Sequence, residues 1–133
     1  MKKITVLILI LSAFLISCKP KTTGNTNNES LSIEIYEYLS KHLEENISET
    51  IKHYLGKIMD SDRIEIRKCC VLIDKEKCEV KNIEVTVNIL SISENNKIYP
   101  PLSKTELDYL ERTIQGCFGY NQERGDIVVV TNE

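Results

Sequence analysis

Four cysteines in the body of the chain are the residues best suited to covalent chemistry: Cys69, Cys70, Cys78 and Cys117. Four cysteines allow two disulfides in three pairings, and either Cys69 or Cys70 could bridge Cys78 across a hairpin. Small buried thiols are the alternative interpretation. The set contains no C-x₂-C pair, so neither a zinc site nor a dithiol redox motif is predicted. A reactive thiolate would need a positive neighbourhood, for which the vicinal pair has only Arg67 and Lys68 beside it.

The histidines and acidic residues do not form a catalytic pattern. His42 and His53 are the only two histidines, eleven residues apart. On one helix that separation is about 16 Å, so they would not share a metal ion or serve one nucleophile. The acidic pair Glu44 and Glu45 suits a solvated helix face. No Ser/His/Asp order, glycine-rich phosphate loop or H-E-x-x-H motif occurs. The sequence therefore predicts a protein that is not an enzyme and has no metal site or cofactor.

A tripeptide used by cell-adhesion ligands occurs near the C-terminus, at Arg124, Gly125 and Asp126. It has two interpretations, a ligand for a partner or a structural turn. Gly119 is well placed to end a helix, and Gly125 gives the backbone freedom to turn. We therefore predict a helix-to-strand turn. A surface lipoprotein that binds a host or small ligand through this loop is the alternative function.

The N-terminus has the composition of an export signal. Lys2 and Lys3 precede an apolar run at residues 4–16, which has the length of a secretory segment and is shorter than the roughly 20 residues of a membrane span. The run ends in Leu-Ile-Ser and Cys18, which resembles the lipobox of bacterial lipoproteins. That resemblance implies cleavage before Cys18 and acylation of its new N-terminus, for example with palmitate.

The chain then divides into three parts. Residues 1–17 are the predicted signal peptide, and residues 18–30, rich in polar residues, are a lipid-anchored flexible tether. Residues 31–133 form a single predicted domain. The composition is 41% hydrophobic and 28% charged, and the formal net charge of −3 becomes more negative once the signal peptide is removed. A nucleic-acid partner is therefore not expected.

The hydrophobic pattern predicts a long helical region and then a hairpin. Apolar residues recur at helical spacing between Leu31 and Ile58, most strongly from Ile47 to Met59. Asn46 and Glu49 have the spacing of a capping box, so one long helix and two short ones are both open. Residues 63–73 and 83–89 predict two antiparallel strands joined by a short charged connection.

A second helix and a third strand complete the domain. Ser103 and Glu106 form a capping box for a helix of about 15 residues, and Gly119 ends it. The apolar run at 127–130 suits a strand buried on both faces. The order α-β-β-α-β predicts an α+β fold with a small sheet of about three strands and two helices on one face. We expect the first strand to lie between the other two.

The segment from Cys117 to Val130 resembles the C-terminal end of the periplasmic part of the flagellar M-ring protein. Residues that fit that pattern are Gly119, Tyr120, Asn121, Glu123, Arg124, Gly125 and Asp126. Three weaker similarities precede it in the same order, at residues 46–50, 70–74 and 101–110. This domain type, the ring-building motif, also occurs in the inner-ring lipoprotein of type III secretion systems, to which the resemblance is more distant.

The resemblance implies a non-enzymatic protein of a flagellar basal body or a related secretion apparatus. In that family, domains pack side by side into rings, so the implied partners are the chain itself or a larger ring protein. Together with the lipobox it implies anchoring at the periplasmic face of the inner membrane, with the outer membrane or cell surface as alternatives. The M-ring protein has spanning helices, several such domains and a cytoplasmic tail, whereas a single lipid-anchored domain is expected here.

Overall fold

The computed structural model describes residues 26–133, with side chains described from Ile33 onward. The predicted signal peptide and Cys18 lie outside this part of the chain. The elements are helix α1 (Thr26–Leu55), a 3₁₀ turn (Ser61–Arg63), strand β1 (Ile64–Asp74), strand β2 (Glu79–Ile89), helix α2 (Lys104–Phe118) and strand β3 (Ile127–Asn132). This is the predicted α-β-β-α-β order, and the α+β fold class is confirmed.

Strand β2 is the centre of the three-stranded sheet, paired antiparallel with β1 and parallel with β3. The expectation that β1 would lie between the other two strands is wrong. The covered face of β2 is almost completely buried, with Val85, Val87 and Ile89 at 0% exposure. A strand buried to this extent needs a neighbouring strand on each side. Strand β1 carries exposed Glu65 and Arg67, and such charges suit an edge strand.

Both helices lie on one face of the sheet and bury a continuous core. From α1 the core takes residues four apart, and from α2 it takes one apolar stripe. The buried helix residues are Leu43, Ile47, Ile51, Leu55, Leu110, Ile114, Cys117 and Phe118. Burial of one such side chain stabilises the fold by about 1.5–3 kcal/mol. On the sheet, Ile83, Val85, Val87 and Ile89 all lie on the covered face, as their alternation predicted.

Helix α1 is a single helix of 30 residues, which resolves the alternative of two short helices. Asn46 does not restart it, because its amide donates to the carbonyl of His42 within the same helix, at 2.9 Å. The helix starts at Thr26, so the last five residues of the predicted tether are helical. It ends at Leu55, before the predicted end at Met59, because the next residue, Gly56, is a weak helix former and begins a turn.

Helix α2 has both predicted ends. Ser103 Oγ accepts from the backbone N–H of Glu106 at 3.3 Å, and the Glu106 carboxylate accepts from the N–H of Ser103 at 2.7 Å. These two bonds satisfy donors that the first helical turn leaves unpaired. At the other end Gly119 adopts φ 67°, a conformation that glycine takes without a steric penalty. The helix therefore enters and leaves the sheet layer at fixed positions.

Candidate functional site

The loop after α2, residues 119–126, is a joint closed by its own hydrogen bonds. Asn121 Oδ1 accepts from the backbone N–H groups of Glu123, at 2.9 Å, and Arg124, at 3.2 Å. This local pattern is typical of asparagine in turns. Gly125 donates its N–H to the carbonyl of Gln122 at 3.0 Å and has φ 84°. The predicted turn is therefore present, and Gly125 supplies its left-handed residue.

Asp126 fastens this joint to the centre of the sheet. Its side chain is completely buried and accepts from the backbone N–H of Ile83 at 2.9 Å and of Asn121 at 2.9 Å. The Arg124 guanidinium donates to both carboxylate oxygens, at 3.0 and 2.5 Å. Burial raises the pKa of Asp126, but the hydrogen bonds from Arg124, Asn121 and Ile83 outweigh it, and the pKa is lowered below its ordinary value. One carboxylate thus joins α2, β2 and β3.

The adhesion interpretation of Arg124, Gly125 and Asp126 does not fit this geometry. The two charged groups of the tripeptide are paired with each other, and the Asp126 side chain has no exposed surface. An adhesion ligand must present its carboxylate to a receptor, and here that would require breaking four hydrogen bonds. The partner of Asp126 at Ile83 lies 43 residues earlier in the chain, which local sequence reasoning could not find.

The sheet face opposite the helices is not covered by any described element. Cross-strand partners share a face, so the register groups the side chains of this uncovered face. It comprises Glu65, Lys68, Cys70, Leu72, Asn82, Glu84, Thr86, Asn88, Ile127, Val129 and Thr131. Ile127 lies opposite Glu84 and Val129 opposite Thr86. The face is therefore a mixture of polar and apolar side chains and not a solvated polar surface throughout.

Three large apolar side chains stand out on the uncovered face. Leu72 and Ile127 are each 49% exposed and Val129 is 40% exposed. The prediction that the strand at 127–130 is buried on both faces is thus wrong, because only Val128 and Val130 face the helices. Strand β3 lies at the edge of the sheet and nothing described covers its second face. Exposed apolar side chains grouped on one face mark interaction sites more often than scattered ones.

A polar network borders the apolar side chains at one end of the uncovered face. Asn88 is buried and donates to the carboxylates of Glu65 and Glu133. Arg67 donates to the same two carboxylates, at 2.9 and 2.6 Å. Hydrogen bonds from Arg67 and then Asn88 lower the pKa of Glu65. Thr131 donates to Asn88 Oδ1 at 3.2 Å, so the network ties all three strands together at this end.

Helix α2 presents a second exposed surface. Tyr109 is 58% exposed on its outer side. Gly116 lies in the helix interior, and a Cβ added there would have no heavy atom within 4 Å. Glycine weakens a helix by roughly 0.5–1 kcal/mol relative to alanine. No described group of this chain occupies the space that a side chain at position 116 would fill. Packing within the domain therefore does not explain why this position is a glycine.

In the structure, Cys69, Cys70, Cys78 and Cys117 are not joined to one another by disulfides. Cys69 faces the helices and lies opposite Val85 of β2. Cys70 lies on the uncovered face, opposite Glu84. Cys78 lies in the turn of the hairpin, beyond Asp74 and Glu79, which are the last paired residues of β1 and β2. Four residues of β1 separate Cys70 from Asp74. At about 3.3 Å per residue that distance exceeds the reach of a disulfide. In this register Cys69 and Cys70 therefore lie too far from Cys78 to be bridged without movement of the strands.

Cys69 and Cys117 also lack the setting of a reactive nucleophile. Burial raises the pKa of the Cys69 thiol, and it raises the pKa of Cys117 to about 11. Both groups are then protonated near neutral pH, which opposes a thiolate function. Disulfide formation by any of the four cysteines stays a prediction, which a thiol count of the denatured mature protein decides.

The histidines have aromatic partners. The ring of His42 stacks on Tyr38 with centroids 6.0 Å apart, and His53 meets the edge of Tyr54 at 5.6 Å. Within residues 26–133, no group of three His, Cys, Asp or Glu side chains is arranged to hold a metal ion. Among the same residues, no helix has both the length and the apolar composition to cross a membrane.

Comparison with models of protein families identifies a family to which the chain is similar. A family model described as "Flagellar M-ring protein C-terminal" matches residues 19–133. The matched range begins directly after Cys18 and contains every residue that the structure describes. No curated protein matched the chain.

Proposed function

Because the chain belongs to the flagellar M-ring protein C-terminal family, we propose that it is a non-enzymatic assembly protein of a flagellar basal body or a related type III secretion apparatus. It acts by packing of one domain against another. The family is one of structural ring proteins. The partner in this proposal is a second copy of the chain or a larger ring protein of the same apparatus.

The uncovered sheet face is the observation that carries this proposal. Leu72, Ile127 and Val129 are exposed there although they belong to strands whose other face forms the core. A neighbouring domain that covers them removes apolar surface from water, which favours association by about 25 cal/mol per Å². The outer side of α2, with Tyr109 and the open space at Gly116, is a second exposed surface on the other side of the molecule.

The joint at residues 119–126 supports this surface. Asp126 and Gly119 fix where α2 ends and where β3 begins, so Ile127 and Val129 are held at defined positions. A site of assembly benefits from such rigidity, because fewer side chains and loops must be ordered on binding. The tripeptide thus serves assembly indirectly, through the fold.

Membrane attachment through Cys18 is part of the proposal. The lipobox supports cleavage before Cys18 and acylation of that residue, and each buried CH₂ of an acyl chain contributes about 0.8 kcal/mol to membrane binding. The periplasmic face of the inner membrane is the proposed location. Mass spectrometry of the N-terminal peptide checks the modification, and Cys18→Ser is expected to release the protein from membranes.

In-cell cross-linking followed by affinity capture of the full chain tests the assembly role. The wild type is expected to capture itself or ring proteins of its apparatus, identified by mass spectrometry. Val129→Lys places a charge on the uncovered face and is expected to abolish capture. Ile98→Lys is the matched control, since Ile98 is 79% exposed in a loop outside that face. A wild type that stays monomeric and captures no ring protein would overturn the proposal.

A further inference from the structure

We infer that the first half of α1 lies against the membrane surface through an apolar stripe formed by Ile35, Tyr38 and Leu39. This outer stripe is on the opposite side of the helix from the sheet. The inference rests on the lipid anchor of the proposed function and goes beyond it, because it assigns a second membrane contact and an orientation to the domain.

Two contacts fix the rotation of α1 at this level. Ser40 Oγ donates to the carbonyl of Val71 in β1, and Tyr36 Oη donates to the carbonyl of Lys75 in the hairpin turn at 3.4 Å. Since successive helical residues are about 100° apart, Tyr38 lies about 160° and Ile35 about 140° from Ser40. The outer stripe therefore points away from the sheet.

The outer stripe is exposed and apolar only near the start of the helix. Tyr38 is 68% and Ile35 41% exposed, and Leu39 is half-buried at the flank. Further along α1 the same side carries His42, whose ring stacks on Tyr38, and then the polar residues Asn46, Glu49 and His53. The apolar half is thus the half closest in sequence to Cys18.

The chain length places this half of the helix at the bilayer. Thr26, where α1 begins, is eight residues after Cys18, a distance of at most about 29 Å when fully extended. Tyr38 is twelve residues further, about 18 Å along the helix. A lipid-anchored chain therefore holds the outer stripe within reach of the surface to which it is tethered.

The chemistry of the outer stripe favours lipid over a second helix. A pair of helices needs apolar positions repeated over several heptads, whereas the outer stripe spans little more than one turn. Tyrosine combines an apolar ring with a polar tip and is enriched at membrane interfaces. Glu34 and Glu37 lie on the same half of the helix, so attraction to anionic headgroups does not contribute. The contact is therefore apolar and insensitive to salt.

This orientation leaves the uncovered sheet face free. Helix α1 lies on the covered side of the sheet, so a membrane that touches the outer stripe lies on the opposite side of the molecule from Leu72, Ile127 and Val129. The domain then contacts lipid with one helix and offers its uncovered sheet face to a neighbour. Membrane contact and domain packing do not compete for the same residues.

Single-tryptophan variants test the inference, since the chain contains no tryptophan. Tyr38→Trp is compared with Tyr109→Trp, a matched exposed position on α2, which starts at the opposite end of the domain. Both variants of the full lipidated chain are placed in phosphatidylcholine vesicles with brominated acyl chains. We expect bromine to quench Tyr38→Trp strongly, because its side chain would lie at the acyl boundary. Tyr109→Trp should be almost unquenched, and neither result should change with salt.

Vesicle flotation distinguishes failure of the lipid anchor from failure of the inferred contact between α1 and the membrane. Protein in the vesicle fraction with Tyr38→Trp unquenched overturns the inference and leaves the lipid anchor intact. Equal quenching of both variants overturns it as well, because it shows no preferred orientation. A blue shift at Tyr38→Trp that grows with protein density, without quenching, assigns the outer stripe to a second copy and overturns the lipid contact. Absence of the protein from the vesicle fraction overturns both the anchor and the inference.

Discussion

The joint at residues 119–126 and the uncovered sheet face are neighbours in the chain but differ in how completely their side chains are satisfied. At the joint, the Asp126 carboxylate accepts four hydrogen bonds and is buried. One residue later, Ile127 is 49% exposed, and Val129 follows at 40%. The difference assigns the joint to folding, and the proposed function assigns the exposed apolar residues to association. Changes at the joint should alter stability, and changes on the face should alter assembly.

Asp126→Ala is expected to have the largest effect on stability. The substitution leaves the N–H groups of Ile83 and Asn121 and the Arg124 guanidinium without their acceptor. Loss of hydrogen bonds to a charged group costs about 1.5–3 kcal/mol, and we expect the unfolding free energy to fall by that amount in urea denaturation. Glu123→Ala removes an exposed carboxylate from the same loop and is the control. Equal losses for the two variants would show that Asp126 does not fasten the joint.

Gly125→Val is expected to cause the next largest loss of stability. The backbone φ of 84° disfavours side chains with a Cβ, and no atom lies within 4 Å of an added Cβ, so the cost is conformational. We expect a loss of about 1–2 kcal/mol. Gly116→Ala provides the contrast, since alanine in open space within a helix should raise stability by roughly 0.5–1 kcal/mol. A stable Gly125→Val variant would mean that the turn needs no left-handed residue.

The pH dependence of stability should also distinguish the joint. The pKa of Asp126 in the folded protein lies below its ordinary value of 3.8. Its ionised form therefore stabilises the fold at pH values above 3.8, and this contribution is lost as the pH falls through the lower folded pKa. Asp126→Asn lacks this contribution, so its deficit relative to the wild type should shrink below about pH 4. Urea denaturation between neutral and acidic pH measures this difference, and a constant deficit would contradict it.

Leu72→Ser should have the smallest effect on stability. Leu72 is 49% exposed on the uncovered face, and surface substitutions usually change stability by less than about 0.5 kcal/mol. The same variant should weaken assembly, because it removes apolar surface that a neighbour would cover. Urea denaturation and cross-linking of the same preparation measure both properties. A large loss of stability would place Leu72 in the fold of the single domain instead.

Local features of this fold could be predicted from the sequence. The Ser103 capping box, the helix end at Gly119 and the alternation from Ile83 to Ile89 depend on residues a few positions apart. The turn at Gly125 was predictable for the same reason. The family resemblance was carried mainly by the same stretch, from Gly119 to Val130, and the family match includes it.

Features that depend on distant residues could not be predicted. The run at 127–130 has no alternation, so nothing in it reveals that Ile127 and Val129 face away from the helices. The bond from Ile83 to Asp126 joins residues 43 apart. On α1 the apolar residues before Leu43 fit the helical period, and only the position of β1 shows that Ile35 and Tyr38 point outward. The site surfaces are thus a property of the assembled sheet and helices.

The most direct test of the separation between folding and assembly is a paired measurement on Val129→Lys. Its unfolding free energy and the size of its membrane-derived assemblies are determined on the same detergent-solubilised protein. We predict an unfolding free energy within about 0.5 kcal/mol of the wild type together with loss of the wild-type assemblies. Assemblies of unchanged size would contradict this prediction. Loss of the assemblies only because the variant unfolds would contradict it as well.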